Sequence, residues 1–259
     1  MARNTRRAPA SNPSEELIQL ATDLDLTALA NTLPELLESA ETESPSFTDF
    51  GLTMFRSEID ARKTRRLERS LKRSRLGVVE GLEGFDFAAR PKLDPRVVKE
   101  LFGCRFVEEH RNILCLGRAG LGKTRIAKAI AHAACLADYS VLCVHAADMV
   151  EELHASHADR TFKRAFRRFV KPEVLLIDEF GYEPFNSEAT NYLFRLVSAR
   201  HRQGSIVLTA NTGFSKWRNL FPSEATVDRL VDAATILRFT GKSFRQPKNI
   251  VGAPLEDDY

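Results

Sequence analysis

No run in the 259 residues approaches the roughly twenty consecutive apolar positions that a membrane-spanning helix needs. The opening, Met-Ala-Arg-Asn-Thr-Arg-Arg-Ala-Pro-Ala, is basic but lacks the apolar core of a secretory signal, so a cytoplasmic protein with no membrane partner is expected. Cysteine is scarce. Cys104, Cys115, Cys135 and Cys143 show no C-x-x-C spacing, and two of them fall in apolar strand-like runs, which argues against structural zinc and against disulfides. No zinc finger or other base-reading motif occurs. The net charge is only +3, so any argument about partners has to rest on where the charges lie.

They are unevenly placed. Residues 11 to 50 carry Glu15, Glu16, Asp23, Asp25, Glu35, Glu38, Glu41, Glu43 and Asp49 with no lysine or arginine. Leu17, Leu20, Leu24, Leu29 and Leu33 recur at helical spacing, and Pro34 is expected to interrupt that helix. After a Ser44-Pro45-Ser46 turn the pattern predicts a second helix, about Phe47 to Arg75, with Phe50, Met54, Phe55 and Ile59 giving way to a cationic end. That end holds Arg56, Arg62, Lys63, Arg65, Arg66, Arg69, Lys72, Arg73 and Arg75 against three acids. Such a rod is either a solvated helix face or a surface for phosphates.

The stretch from Asn112 to Thr124 is the most informative in the chain. An apolar run, Ile113 to Leu116, leads into Gly117-Arg118-Ala119-Gly120-Leu121-Gly122-Lys123-Thr124, the spacing G-x-x-x-x-G-K-[ST], and a helical pattern follows at Ile126, Ala127, Ile130 and Ala131. Glycines let successive backbone N–H groups converge on one anion, and the positive end of the following helix adds to them. Lys123 is expected at the β- and γ-phosphates of ATP, and the Thr124 hydroxyl at Mg2+. A glycine turn carrying lysine and threonine by chance would lack the strand before and the helix after.

Further strands are expected at Ser140–Val144, Val174–Glu179, Ile206–Ala210 and Thr235–Phe239, forming a parallel sheet with its ligand at the carboxyl ends. The third delivers Asp178, assigned to the metal, and Glu179, assigned as the general base that deprotonates water. The fourth ends at Asn211, beside the same site. Upstream, Gly81, Gly84, Pro91 and Pro95 mark a linker containing Phe85-Asp86-Phe87. Those two aromatics can cover an adenine or pin the linker to the core, and the residues alone favour pinning. A helix is expected from Pro95 to Phe102.

Between the second and third strands, Asp159 to Lys171 can wind into a two-faced helix. Arg160, Lys163, Arg164, Arg167, Arg168 and Lys171 share one face, and Phe162, Phe166 and Phe169 the other. A cationic stripe without acids is unlike an ordinary solvated face and is expected to bind nucleic acid through its phosphates, with little sequence preference.

Taken together, these segments closely resemble the IstB-like transposition helper ATPases, relatives of DnaC-type helicase loaders in the initiator branch of the AAA+ superfamily. The resemblance rests on the helical N-terminal region, Leu82-Glu83-Gly84-Phe85-Asp86-Phe87, the phosphate loop, Leu176 to Tyr182, Thr209-Ala210-Asn211, the aromatics Phe214, Trp217 and Phe221, Val227-Asp228-Arg229-Leu230, and Gly241-Lys242-Ser243-Phe244-Arg245. It implies an α/β AAA+ phosphate-loop NTPase with a five-stranded parallel sheet and a small all-helical N-terminal domain. Because only about twenty residues follow the fifth strand, the helical lid of most AAA+ proteins is expected to be missing or minimal, a departure from the family pattern. The expected organisation is a disordered basic start (1–14), a helical domain (15–76), a linker (77–94), an ATPase domain (95–250) and a disordered tail (251–259). It also implies that Asn211 is a sensor, that Arg229 is a finger completing a neighbour's ATP site, that Arg245 is a second sensor and that Phe85 contacts nucleotide. A DNA-contacting insertion, bearing the Arg160–Lys171 face and aided by Arg65, Arg66, Arg69 and Arg73, is implied as well. The resemblance makes the nucleic-acid partner double-stranded DNA, and the protein is expected to form a homo-oligomer on it and to activate a partner transposase; a helicase loader would use the same ATPase with a different partner. Arg118-Ala119 departs from the family's usual proline.

Overall fold

The computed structural model describes residues 12–181, 186–213, 217 and 224–243. Two units divide after Arg69, within a long helix whose last turn belongs to the second unit.

The first unit holds α1 (Pro13–Asp23), α2 (Thr27–Glu43) and most of α3 (Phe47–Ser74). Pro34 does not end a helix; it lies inside α2. The break falls earlier, where Asp25 takes a left-handed φ of 56°. A proline costs a helix one backbone bond, and that cost is offset here because Leu29 and Leu33 are fully packed beside it. Leu26 offers α2 no side-chain cap. Glu58 of α3 supplies one, accepting from the Ala28 and Leu29 N–H groups at 2.8 and 2.9 Å. Met54 joins the small core, whereas Phe55 and Ile59 are exposed.

The second unit continues with α4 (Pro95–Leu101), a short α5 (Arg105–Glu108) that periodicity did not foretell, β1 (Ile113–Gly117), α6 (Lys123–Leu136) and β2 (Val141–His145). Then come α7 (Ala146–Ala158), α8 (Phe162–Val170), β3 (Val174–Phe180), α9 (Ser187–Arg200), β4 (Ser205–Ala210), α10 (Glu224–Val231) and β5 (Thr235–Phe239). All neighbouring strands pair in parallel, in the order β2-β3-β4-β1-β5.

Strand pleating sends alternate residues to opposite faces. Leu114, Leu116, Leu142, Val144, Leu175, Ile177, Ile206 and Leu208 form one core with residues of α7, α8, α9 and α10. Ile113, Cys115, Leu176 and Val207 are equally buried and point the other way, toward the face on which α6 packs across four strands. Both faces being covered explains why the strands read as unbroken apolar runs. Burial pushes the Cys115 thiol up to about 12 and Cys143 to about 11, so both stay protonated and act as small apolar side chains.

The basic segment is not one helix from Asp159. Arg160 has a left-handed φ of 59° and sits in the turn between α7 and α8, because Asp159 caps the Thr161 N–H and hydroxyl and fixes a corner there. Lys171 follows the last turn of α8. Phe169 is fully buried, with Phe162 and Phe166 packed partly against the main core. Arg200 anchors the other end of α8. Its buried guanidinium donates to the carbonyls of Phe169, Val170 and Pro172, and to those of Glu173 and Ser205. Burial draws its pKa down to about 10, so the charge persists at neutral pH and lies where a helix C-terminus favours a cation.

Candidate nucleotide-binding site

The carboxyl ends of β1, β3 and β4 meet at one cleft, and the loop between β1 and α6 forms its floor. Two glycines there answer to close packing. A Cβ on Gly117 would stand 2.3 Å from the Phe239 carbonyl oxygen, and one on Gly122, whose φ is +88°, would stand 2.7 Å from Phe85 Cε2. Lys123 opens the 14-residue α6, so its backbone lies at the positive end of that helix. The Lys123 ammonium is largely buried and donates to the Arg118 carbonyl at 2.7 Å and to Asn211 Oδ1 at 2.8 Å. Arg118 and Ala119 themselves are exposed on the loop.

Thr124 Oγ1 donates to Asp178 Oδ1 at 2.9 Å. Asp178 is 2% exposed. A hydroxyl and a carboxylate in contact form a hard-oxygen pair of the kind magnesium takes, so the donor set fits that ion.

Asp178 and Glu179 are consecutive, and a regular strand would turn one of them away from the cleft. A β-bulge resolves this. Ile177 pairs with Leu208 and Phe180 with Ala210, so Asp178 and Glu179 together oppose Thr209 alone. Glu179 takes a left-handed φ of 57°, a conformation a non-glycine residue holds only where its surroundings enforce it. Thr209 is the enforcing residue: its hydroxyl donates to Asp178 Oδ1 and accepts from the Glu179 N–H at 3.0 Å. The Glu179 carboxylate is left open to the cleft, with His145 Nδ1 at 3.8 Å from Oε2. His145 was not picked out from sequence, and Thr209 was marked only as part of the Thr209-Ala210-Asn211 segment, with no role of its own. The signal for Thr209 was its place two residues before Asn211.

The cleft measures about 810 Å³, and its other wall is the linker: Glu80, Gly84, Phe85 and Asp86 face Ala119 to Arg125. Phe85 is 8% exposed and meets Phe87 edge-on at 4.8 Å. It therefore pins the linker against the phosphate loop and also lines the space beside it. Arg90, also unmarked by sequence, is fully buried and donates to the carbonyls of Leu121, Ala89 and Lys242.

The remaining site residues differ in their surroundings. Arg229 Nη1 donates to Ser198 Oγ at 2.7 Å, and its guanidinium lies 5.3 Å from the Phe194 ring centre. On α8, Lys163, Arg164 and Arg167 are exposed, as are Arg160 and Lys171 beside it. Arg168 is different: it is half-buried and ion-paired with Glu152 of α7. On α3, Arg65 pairs with Glu58 at 3.2 Å, while Arg66, Arg69 and Arg73 are exposed. Arg245 and the minimal lid, like residues 1–11 and the tail from 251, lie outside the described residues.

The family model of the IstB-like ATP binding protein matches residues 19–251. The chain is 34% identical to the ATP-binding protein of insertion sequence IS21 from Pseudomonas aeruginosa, over 89% of this chain and 88% of that protein. It is 31% identical to the ATP-binding protein of insertion sequence IS5376 from Geobacillus stearothermophilus, over 86% of this chain and 90% of the relative. Among solved structures, AMPPCP-bound DnaA from Aquifex aeolicus aligns with a TM-score of 0.55 at 17% identity, over 64% of this chain and 51% of that one. The DnaC helicase loader aligns with a TM-score of 0.50 at 16% identity, over 56% and 87%. At such identities the likeness is one of fold.

Proposed function

Since the chain belongs to the family of IstB-like ATP-binding proteins, we propose that it is a magnesium-dependent AAA+ ATPase that assembles as an oligomer on double-stranded DNA and activates a partner transposase. The observation that carries this reading is the convergence of Lys123, Thr124, Asp178, Glu179 and Asn211 on one cleft. In it the loop N–H groups and Lys123 bind the β- and γ-phosphates. Thr124 and Asp178 hold magnesium, which when bound neutralises charge on the phosphate oxygens. Glu179 orients a water and takes its proton as that water's oxygen bonds to the γ-phosphorus. The bond to the β-phosphate oxygen breaks, and ADP and phosphate leave. Asn211 holds the water or the γ-phosphate from the far side, and Phe85 borders the base.

The exposed cations of α8 supply the DNA surface in this proposal, with those of α3 adding to it. The partner assignment follows the relatives. Identities of 34% and 31% are to insertion-sequence proteins, against 16% to the DnaC helicase loader, which favours transposition over helicase loading.

Glu179→Gln tests the chemistry. It keeps the side chain's shape and removes the base, so ATP binding should persist while turnover falls about a hundred- to ten-thousand-fold. Wild-type turnover in that variant would remove Glu179 from its role, and a wild-type protein unable to bind ATP would remove the whole reading.

A further inference from the structure

The linker wall of the cleft has no regular secondary structure between Gly77 and Asp94, so its position depends on a few side-chain anchors. One of them is Arg125, next after the lysine and threonine of the phosphate loop. Its Nε donates to the Gly81 carbonyl at 3.1 Å and its Nη2 to the Glu83 carbonyl. Its Nη1 lies 3.3 Å from the Glu80 carboxylate, and the guanidinium stands 5.9 Å from the centre of the Phe85 ring. A single planar fork thus holds both ends of the Glu80–Glu83 segment and borders the aromatic that follows it. Lysine, a point charge without that fork, cannot reproduce the set.

We propose that Arg125 is a positioning residue for the base of the bound nucleotide: it fixes the Glu80–Phe85 wall over the phosphate loop, and so contributes to binding the nucleoside end of ATP without touching the phosphates. The inference rests on the reading of the cleft as an ATP site. It separates two halves of the ligand by what holds each. The triphosphate end is held by residues 117–124, and the nucleoside end meets the linker.

That separation gives a test that a general loss of fold would not mimic. Binding of ATP and of inorganic triphosphate is measured on the full-length protein. In Arg125→Ala the dissociation constant for ATP should rise about tenfold, the order that one displaced positioning group costs, while that for triphosphate stays within about twofold. The KM for ATP should rise in step with kcat little changed. Arg125→Lys keeps the charge and the aliphatic stem, so it serves where the alanine variant fails to fold, and it should show the same selective loss. Equal weakening of ATP and triphosphate, unchanged ATP affinity, or a lysine variant matching wild type would each overturn the proposal. A wild-type protein that binds triphosphate but not ATP would instead overturn the reading of the site.

Discussion

Lys123 Nζ and Asn211 Oδ1 are 2.8 Å apart, a hydrogen bond that joins the phosphate loop to the end of the fourth strand across 88 residues of chain. The amide is a neutral acceptor, which the ammonium can exchange for a phosphate at little cost. Asn211→Asp would replace it with a carboxylate at the same place, and a charge-assisted pair competes far better for the lysine. The ATP dissociation constant should rise about tenfold or more, equivalent to roughly 1.4 kcal/mol per decade. Asn211→Ala should leave binding nearly intact and lower kcat, in keeping with a role at the reacting end. Equilibrium binding beside steady-state kinetics distinguishes the two, and identical affinities for wild type and the aspartate variant would sever the link.

Among the α8 cations, Lys163, Arg164 and Arg167 are exposed, whereas Arg168 already has Glu152. Replacing the three exposed residues with alanine should weaken binding to unrelated duplexes about equally. Each DNA phosphate that is no longer neutralised takes close to one unit off the salt slope, so the plot of log affinity against log salt should flatten by about 2 to 3. Arg168→Ala should change the slope little and instead loosen the packing of α8 on α7, seen as a lower melting temperature. A full unit of slope removed by Arg168→Ala alone would place that residue on the DNA.

Much of this was legible in the sequence for a physical reason: the phosphate loop, the Asp178-Glu179 pair and the fifth strand are local patterns, each written in consecutive residues. The illegible parts depend on partners far along the chain. Whether Asp178 and Glu179 could both serve one cleft turned on the pairing of β3 with β4, and the bulge at Thr209 is a property of that register rather than of either strand. The pairing of Arg168 with Glu152 and of Arg65 with Glu58 likewise crosses between helices or helical turns, so a bare run of cations overstated how many are available. Pro34 misled in the opposite direction. Its local cost was visible, but the packing of Leu29 and Leu33 and the cap from Glu58 were not.

Glu58 supplies a prediction about pH. Burial pushes its carboxyl pKa up, but the Arg62 guanidinium and the Leu29 and Ala28 N–H groups outweigh it, and the net value lies below the ordinary glutamate value. A carboxyl with a lower pKa in the folded state than in the unfolded one adds stability above its unfolded value, and that stability fades as pH falls through the folded value. The first unit should therefore loosen below the ordinary carboxylate range, with amide protection factors at Ala28 and Leu29, taken relative to intrinsic exchange at each pH, falling as pH is lowered. Glu58→Gln should cost about 1–3 kcal/mol at neutral pH, the scale of a hydrogen bond to a charged group, and should flatten the acid dependence. Acid sensitivity unchanged in that variant would assign it to other carboxyls.

The proposed role of Arg229, completing a neighbour's site, requires a second subunit. Within its own subunit Arg229 donates to Ser198 and lies over Phe194, while the nearby Asp232 is held by His201 and Arg202. These contacts fix its guanidinium on the surface shared by α9 and α10. The residues converging on the ATP cleft, Lys123, Thr124, Asp178, Glu179 and Asn211, include no arginine aimed at the γ-phosphate, and such an arginine is worth about a thousand- to a hundred-thousand-fold in phosphoryl transfer. If Arg229 supplies it to a neighbour, Arg229→Ala should bind ATP normally and lose most turnover. Ser198→Ala, which removes only the in-chain partner, should retain turnover. Mixing Lys123→Ala subunits with Arg229→Ala subunits on DNA should restore part of the activity, because the intact cleft of one then meets the intact arginine of the other. Loss of activity in Ser198→Ala equal to that in Arg229→Ala would mark the arginine as a structural strut. No recovery in mixtures shown to co-assemble would turn the search for the trans-acting group to Arg245.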